Sequence, residues 1–159
     1  MIEMYSKKQK FIEKFGLFFE RSTNFPRIAG RIFAFLLICD PPEQTQKKIA
    51  QALNISKGSA STMIRLLVQT QIVHEFSKPG NRPLFYKIRK GGWEKLFLTK
   101  LQNLAVVRNL LNEGRSAVDN KSTKLTDRID ELDKLYAFFE EELPSIISKW
   151  EKLNQERRD

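Results

Sequence analysis

Six stretches of helical periodicity and one of strand alternation run along the chain, set apart by proline, glycine and asparagine. From Ser6 to Ser22, Phe11, Ile12, Phe15, Phe18 and Phe19 recur at helical spacing. Asn24-Phe25-Pro26 interrupts them, and Pro26 suits the first turn of a second helix, where its missing N–H would be unpaired anyway. That helix, Pro26 to Cys39, is apolar almost all round after Arg31 and is expected in the middle of the core. Asp40-Pro41-Pro42 ends it.

Thr45 then caps a helix over Gln46–Leu53, with Ile49, Ala50 and Leu53 on one face. After Asn54-Ile55, Ser56 caps another running to about Thr70, with Ala60, Ile64 and Leu67 turned inward. Two short helices joined by a tight turn form a helix-turn-helix pattern. Ile72–Phe76 and Leu84–Ile88, rich in β-branched and aromatic residues, follow as strands of a hairpin. Pro79-Gly80 between them suits a type II turn, because proline presets one φ and glycine supplies the positive one. A basic hairpin directly after a helix-turn-helix is a wing.

Gly91-Gly92 separates this unit from a helix expected over Trp93 to about Leu111, and the polar stretch Ser116–Thr123 breaks the pattern. Leu125, Ile129, Leu132, Tyr136, Phe139, Leu143, Ile146, Trp150 and Leu153 then recur at alternating steps of four and three, as a coiled-coil seam requires. As one helix this run would be about 43 Å long. Pro144 lies inside it and predicts a kink or restart near Glu140–Leu143. The fold class is thus mainly α: a winged helix-turn-helix domain with a small β-hairpin wing, flanked by N- and C-terminal dimerisation helices. The domain reading is an N-terminal helix over 1–25, the winged domain over 26–90 and a helical dimerisation region over 91–159.

Charge sharpens this picture. The net charge of +9 is uneven: residues 43–90 hold 9 basic and 2 acidic side chains, whereas residues 91–159 hold 12 and 13. An even spread would be an ordinary solvated surface; concentration in one segment points to a polyanionic partner. One His and one Cys leave no Cys/His metal site and no Cys–His dyad, and no glycine-rich phosphate loop is present. No enzyme, metal or cofactor is expected. Glu140-Glu141-Glu142 reads as a solvated helix face, and Cys39 as a small buried hydrophobe. The first 20 residues lack a signal-peptide pattern and no apolar run is long enough for a membrane span, so a cytoplasmic chain without a membrane partner is expected.

The duplex-facing candidates lie on the second helix of the pair. With Ala60, Ile64 and Leu67 inward, Lys57, Gly58, Ser61, Thr62 and Arg65 fall on the opposite face. Gly58 allows close backbone approach to a phosphate, and the hydroxyls of Ser56, Ser59, Ser61 and Thr62 suit phosphates or base edges in a major groove. Arg65 is the candidate for a base or phosphate contact. Lys78, Asn81 and Arg82 sit at the hairpin tip, where a wing reaches the minor groove, and Lys47 at the start of the preceding helix suits the backbone. Double-stranded DNA is the expected partner. A winged-helix interaction module in a larger assembly, its long C-terminal helix docking a partner protein, is the alternative.

Gly30-Arg31-Ile32-Phe33, Asp40-Pro41-Pro42, Ile49-Ala50-Gln51-Ala52-Leu53, Ile55-Ser56-Lys57-Gly58-Ser59-Ala60-Ser61 and Pro79-Gly80-Asn81-Arg82 together resemble the GbsR-like branch of the MarR-type transcriptional regulators. The resemblance covers about residues 10–90, and the helical tail only in character. It implies a homodimer joined by its N- and C-terminal helices, bound to a pseudo-palindromic operator, usually as a repressor, with a small-molecule effector such as choline in some members. The dimerisation residues are then Phe11, Phe15, Leu132, Tyr136, Phe139, Leu143, Ile146 and Trp150. Phe11, Phe15, Phe18, Phe33, Phe35 and Trp93 supply aromatics for an effector, or simply for the core. Two departures stand out: Gln71 replaces the glycine that often ends the recognition helix, and Asn81 replaces an acidic residue common before the wing arginine.

Overall fold

The first unit of the chain is assembled around α2 (Arg27–Ile38), whose Ala29, Ile32, Phe33, Ala34 and Leu36 are buried. The structure, a computed structural model, describes residues 2–118 and 123–156. The chain divides into two units, Met1–Leu96 and Phe97–Asp159. Before α2 comes α1 (Ile2–Ser22), whose Ile12 and Phe19 are buried. α2 starts one residue later than expected because Pro26, at φ −58° and ψ 144°, takes the capping position. Trp93 stacks on Phe19 and Phe33, with ring centres 5.4 and 5.1 Å apart, so these aromatics complete the core.

The helix-turn-helix is α3 (Gln46–Leu53) and α4 (Lys57–Gln69), followed by the strands β2 (Val73–Phe76) and β3 (Phe85–Ile88). A third strand, β1 (Gln44–Thr45), escaped the periodicity because two residues carry none. It pairs with β3, Gln44 opposite Tyr86 and Thr45 opposite Phe85, giving an antiparallel sheet in the order β1-β3-β2. β2 pairs with the other edge of β3, Glu75 opposite Tyr86. Burial and Glu75 push the Tyr86 phenol up to about 12. The hairpin tip closes as expected: Gly80 has φ +75° and the Asn81 N–H donates to the Lys78 carbonyl at 3.0 Å.

The turn after α4 closes as it would with glycine, although glycine is absent. Gln71 has φ +61°, Ile72 N–H reaches the Leu67 carbonyl and Gln71 N–H the Val68 carbonyl, each at 3.0 Å. This is the paired closure usually left to glycine. Ile72 is fully buried behind it, which holds glutamine in the left-handed region despite the cost. Gly92 packs against the same turn, where a Cβ would come 2.3 Å from the Gln71 carbonyl oxygen. Gly92→Ala is therefore expected to lower stability by about 1–3 kcal/mol, and Gln71→Gly to raise it by up to about 1 kcal/mol. Urea unfolding of both variants checks this; a Gly92→Ala protein as stable as the parent would contradict the close approach.

From Gly92 the chain is helical, but not as one helix to Leu111. α5 (Gly92–Gln102) and α6 (Leu104–Ala117) are separated at Asn103, whose ψ of −3° leaves the helical range. Asparagine side chains compete for backbone groups and favour such breaks. The polar stretch expected to break the pattern falls largely on residues 119–122, outside the described residues. α7 (Thr123–Glu156) then runs 34 residues without interruption. The restart expected near Glu140–Leu143 is absent: Pro144 sits inside the helix and leaves the Glu140 carbonyl without its usual donor.

Within the second unit α6 packs on α7. Arg108 Nε donates to Asp133 at 2.9 Å, its Nη1 pairs with Glu140, and Arg115 Nη2 reaches Asp130 at 2.6 Å. Arg108 holds the Asp133 carboxyl below its usual range, and Asp133 and Glu140 raise the Arg108 guanidinium above its own. Glu140 is thus a partner of Arg108, not merely part of a solvated acidic face. The apolar series on α7 divides. Ile129, Tyr136 and Leu143 are half-buried, while Leu132, Phe139, Ile146, Trp150 and Leu153 are exposed, joined by Leu135 and Phe138. The side chain of Leu125 lies outside the described residues. Among the described residues no helix is long and apolar enough to cross a membrane.

Candidate nucleic-acid interface

Side-chain caps at both ends of the turn set the angle between α3 and α4. Thr45 Oγ1 accepts from Lys48 N–H at 3.3 Å to start α3, and Asn54, at φ +50°, turns the chain out of it. Ser56 Oγ accepts from Ser59 N–H at 3.0 Å and donates to Ser59 Oγ at 2.9 Å, which starts α4. Gln46 Nε2 donates to the Lys57 carbonyl at 3.2 Å and links the two helix starts.

With its start fixed, α4 buries one face completely: Ala60, Ile64 and Leu67 are 0–2% exposed. Lys57, Gly58, Thr62 and Arg65 are exposed on the other side, and Ser59 and Ser61 are half-buried. The Ser56 hydroxyl is used in the cap, so its part in the site is to orient α4. Ser59 accepts in that cap and keeps its own proton for an outside acceptor. A Cβ at Gly58 would meet only Ser56 Oγ, at 3.9 Å, so no packing within the chain requires glycine there. Lys47 and Lys48 are exposed at the start of α3.

At the wing, Asn81 Nδ2 donates to the Pro79 carbonyl at 3.3 Å, inside its own turn, and Arg82 is exposed. Arg65 and Arg82 form no ion pair among the described residues. Lys78 differs. Its Nζ donates to Glu43 Oε1 at 2.5 Å and lies 4.6 Å from the centre of the Phe85 ring, and it holds the Glu43 carboxyl below its usual range. Sequence reasoning missed Glu43, which lies 35 residues from Lys78 and just before the unforeseen β1. Lys87, over the Phe76 ring at 4.9 Å, is another basic wing residue not singled out beforehand. His74 is half-buried and stacked on Phe76. Cys39 is half-buried, and burial pushes its thiol up, away from thiolate chemistry. Among the described residues no group of His, Cys, Asp and Glu is arranged to hold a metal ion.

Together these elements present a capped helix with a basic, hydroxyl-bearing outer face and a cationic hairpin beside it. Known proteins with similar sequences share this theme. Residues 91–155 match the sequence model of the MmpR5-like MarR family transcriptional regulators. Over 141 residues, 89% of this chain and 85% of the relative, the chain is 27% identical to the HTH-type transcriptional regulator MmpR5 of Mycobacterium tuberculosis. A transcriptional regulator of known crystal structure superposes with a TM-score of 0.66 and 26% identity, covering 92% of this chain and 99% of that one. The chain therefore has a winged-helix fold and is similar in sequence to MarR-family transcriptional regulators.

Proposed function

We propose that this chain is a MarR-type transcriptional regulator that binds duplex DNA as a homodimer, acting as a repressor at a pseudo-palindromic operator in the cytoplasm. One observation carries the reading: α4 is fully buried on one side, while its other side offers Lys57, Gly58, Thr62 and Arg65 with no partner chain element over them. In this reading residues 26–90 bind DNA, and residues 1–25 and 91–159 carry dimerisation through Phe11, Phe15 and the exposed strip on α7. Ser61 and Thr62 supply hydroxyls to the groove, and Lys47 meets the phosphate backbone. The Ser56–Ser61 stretch supports a GbsR-like branch, whereas the matched family model is MmpR5-like. A docking module without DNA is less favoured, because it gives the basic, hydroxyl-rich face of α4 no task. A concavity of about 660 Å³ lined by Phe15, Phe18, Phe33, Leu37 and Trp93 supports a hydrophobic small-molecule effector.

Arg65 and Arg82 separate base reading from positioning. Arg65→Ala is expected to weaken binding to the selected operator by about 1–3 kcal/mol, and to leave binding to a scrambled duplex much less affected. Arg82→Ala should weaken both more evenly. Titration of each variant on both duplexes checks this. Equal losses on the two duplexes for Arg65→Ala would make that residue a phosphate ligand; full binding by both variants would contradict the interface.

A further inference from the structure

Beside the hairpin tip, one lysine is used twice. The Lys78 carbonyl closes the Lys78–Asn81 turn, and its ammonium reaches across the Phe85 ring to Glu43. Glu43 directly precedes β1, and β1 pairs with β3 at Phe85. Backbone and side chain of Lys78 therefore fasten the turn to the strand pair at the base of the wing. Both side chains of the ion pair are partly shielded, 35% exposed for Lys78 and 23% for Glu43, which makes the pair more persistent than a fully exposed one. Arg82, four residues along, is exposed and held by no ion pair among the described residues.

We propose that Lys78 and Glu43 are positioning residues that pre-set the wing tip, so that Arg82 meets the nucleic acid, and that Lys78 is not itself a phosphate ligand. This rests on the duplex-binding reading above. A tip ordered before encounter does not lose that freedom on binding, which is how a contact away from the duplex contributes affinity. The two roles open to Lys78 give Glu43 opposite signs. If Lys78 bound phosphate, Glu43 would compete with DNA for it; if Lys78 positions the wing, Glu43 is its anchor.

Full-length Glu43→Gln and Lys78→Met proteins, titrated with one duplex at several salt concentrations, distinguish these roles. Each variant is expected to weaken binding by about 2- to 10-fold, with the slope of log affinity against log salt unchanged. Arg82→Ala should then cost a smaller factor in the Glu43→Gln background than in the parent. The proposal is overturned if Glu43→Gln tightens binding, or if Lys78→Met flattens the slope by about 0.9, the signature of one lost phosphate contact. An Arg82→Ala factor identical in both backgrounds overturns it too. Absence of duplex binding by the unmodified protein would instead overturn the duplex reading itself, and this role with it.

Discussion

Replacing Phe139 and Ile146 together with glutamate is expected to give a folded protein that no longer pairs and binds its operator about 10²–10⁴-fold more weakly, the avidity lost when two half-sites are no longer joined. Phe139 is 43% exposed and Ile146 54% in the single chain, and Leu132, Leu135, Phe138, Trp150 and Leu153 extend the same apolar surface. Contiguous patches of that kind are larger than soluble monomers normally leave open. Two-fold pairing through α7 would cover it. The hairpin of α6 and α7 should survive the substitutions, because Arg108 and Arg115 still hold Asp133, Glu140 and Asp130. Light scattering and operator titration read the two effects separately. A parent protein already monomeric at micromolar concentration would show that the strip is not a dimer interface.

Affinity for duplex DNA is expected to fall by about 10³–10⁵ between 50 and 200 mM salt, as for proteins neutralising 6–10 phosphates. The motivation is the segment 43–90, with 9 basic and 2 acidic side chains, present twice in a dimer. The Glu43–Lys78 pair removes one cation from each copy, which leaves Lys47, Lys48, Lys57, Arg65 and Arg82 exposed around α3, α4 and the wing tip. Titrating a labelled duplex across that salt range measures the effect. A flat profile would favour protein docking.

Much of this fold is legible along the chain because local rules and burial agree. Thr45 and Ser56 cap the helices they were expected to cap, and Ala60, Ile64 and Leu67 are buried where 3.6-residue geometry put them. What stayed hidden has non-local or competing causes. β1 is a strand only because β3 lies beside it. The break at Asn103 is one residue in an otherwise helical pattern, and α7 carries Pro144 within one continuous helix that local propensity would have divided. Gln71 adopts a glycine-like turn because buried Ile72 and Gly92 fix the chain on either side. In the candidate site, outward-facing positions on α4 follow from periodicity, whereas Lys78 was assigned to phosphate because no spacing rule relates it to Glu43.

Selection of bound sequences from a pool of randomised duplexes, using the unmodified protein, tests the central claim most directly. Enrichment of one pseudo-palindromic site is expected, its half-sites centred about 10–10.5 base pairs or a multiple apart, as two recognition helices on one face of the duplex require. Recovery of a pool with no enriched sequence would contradict it.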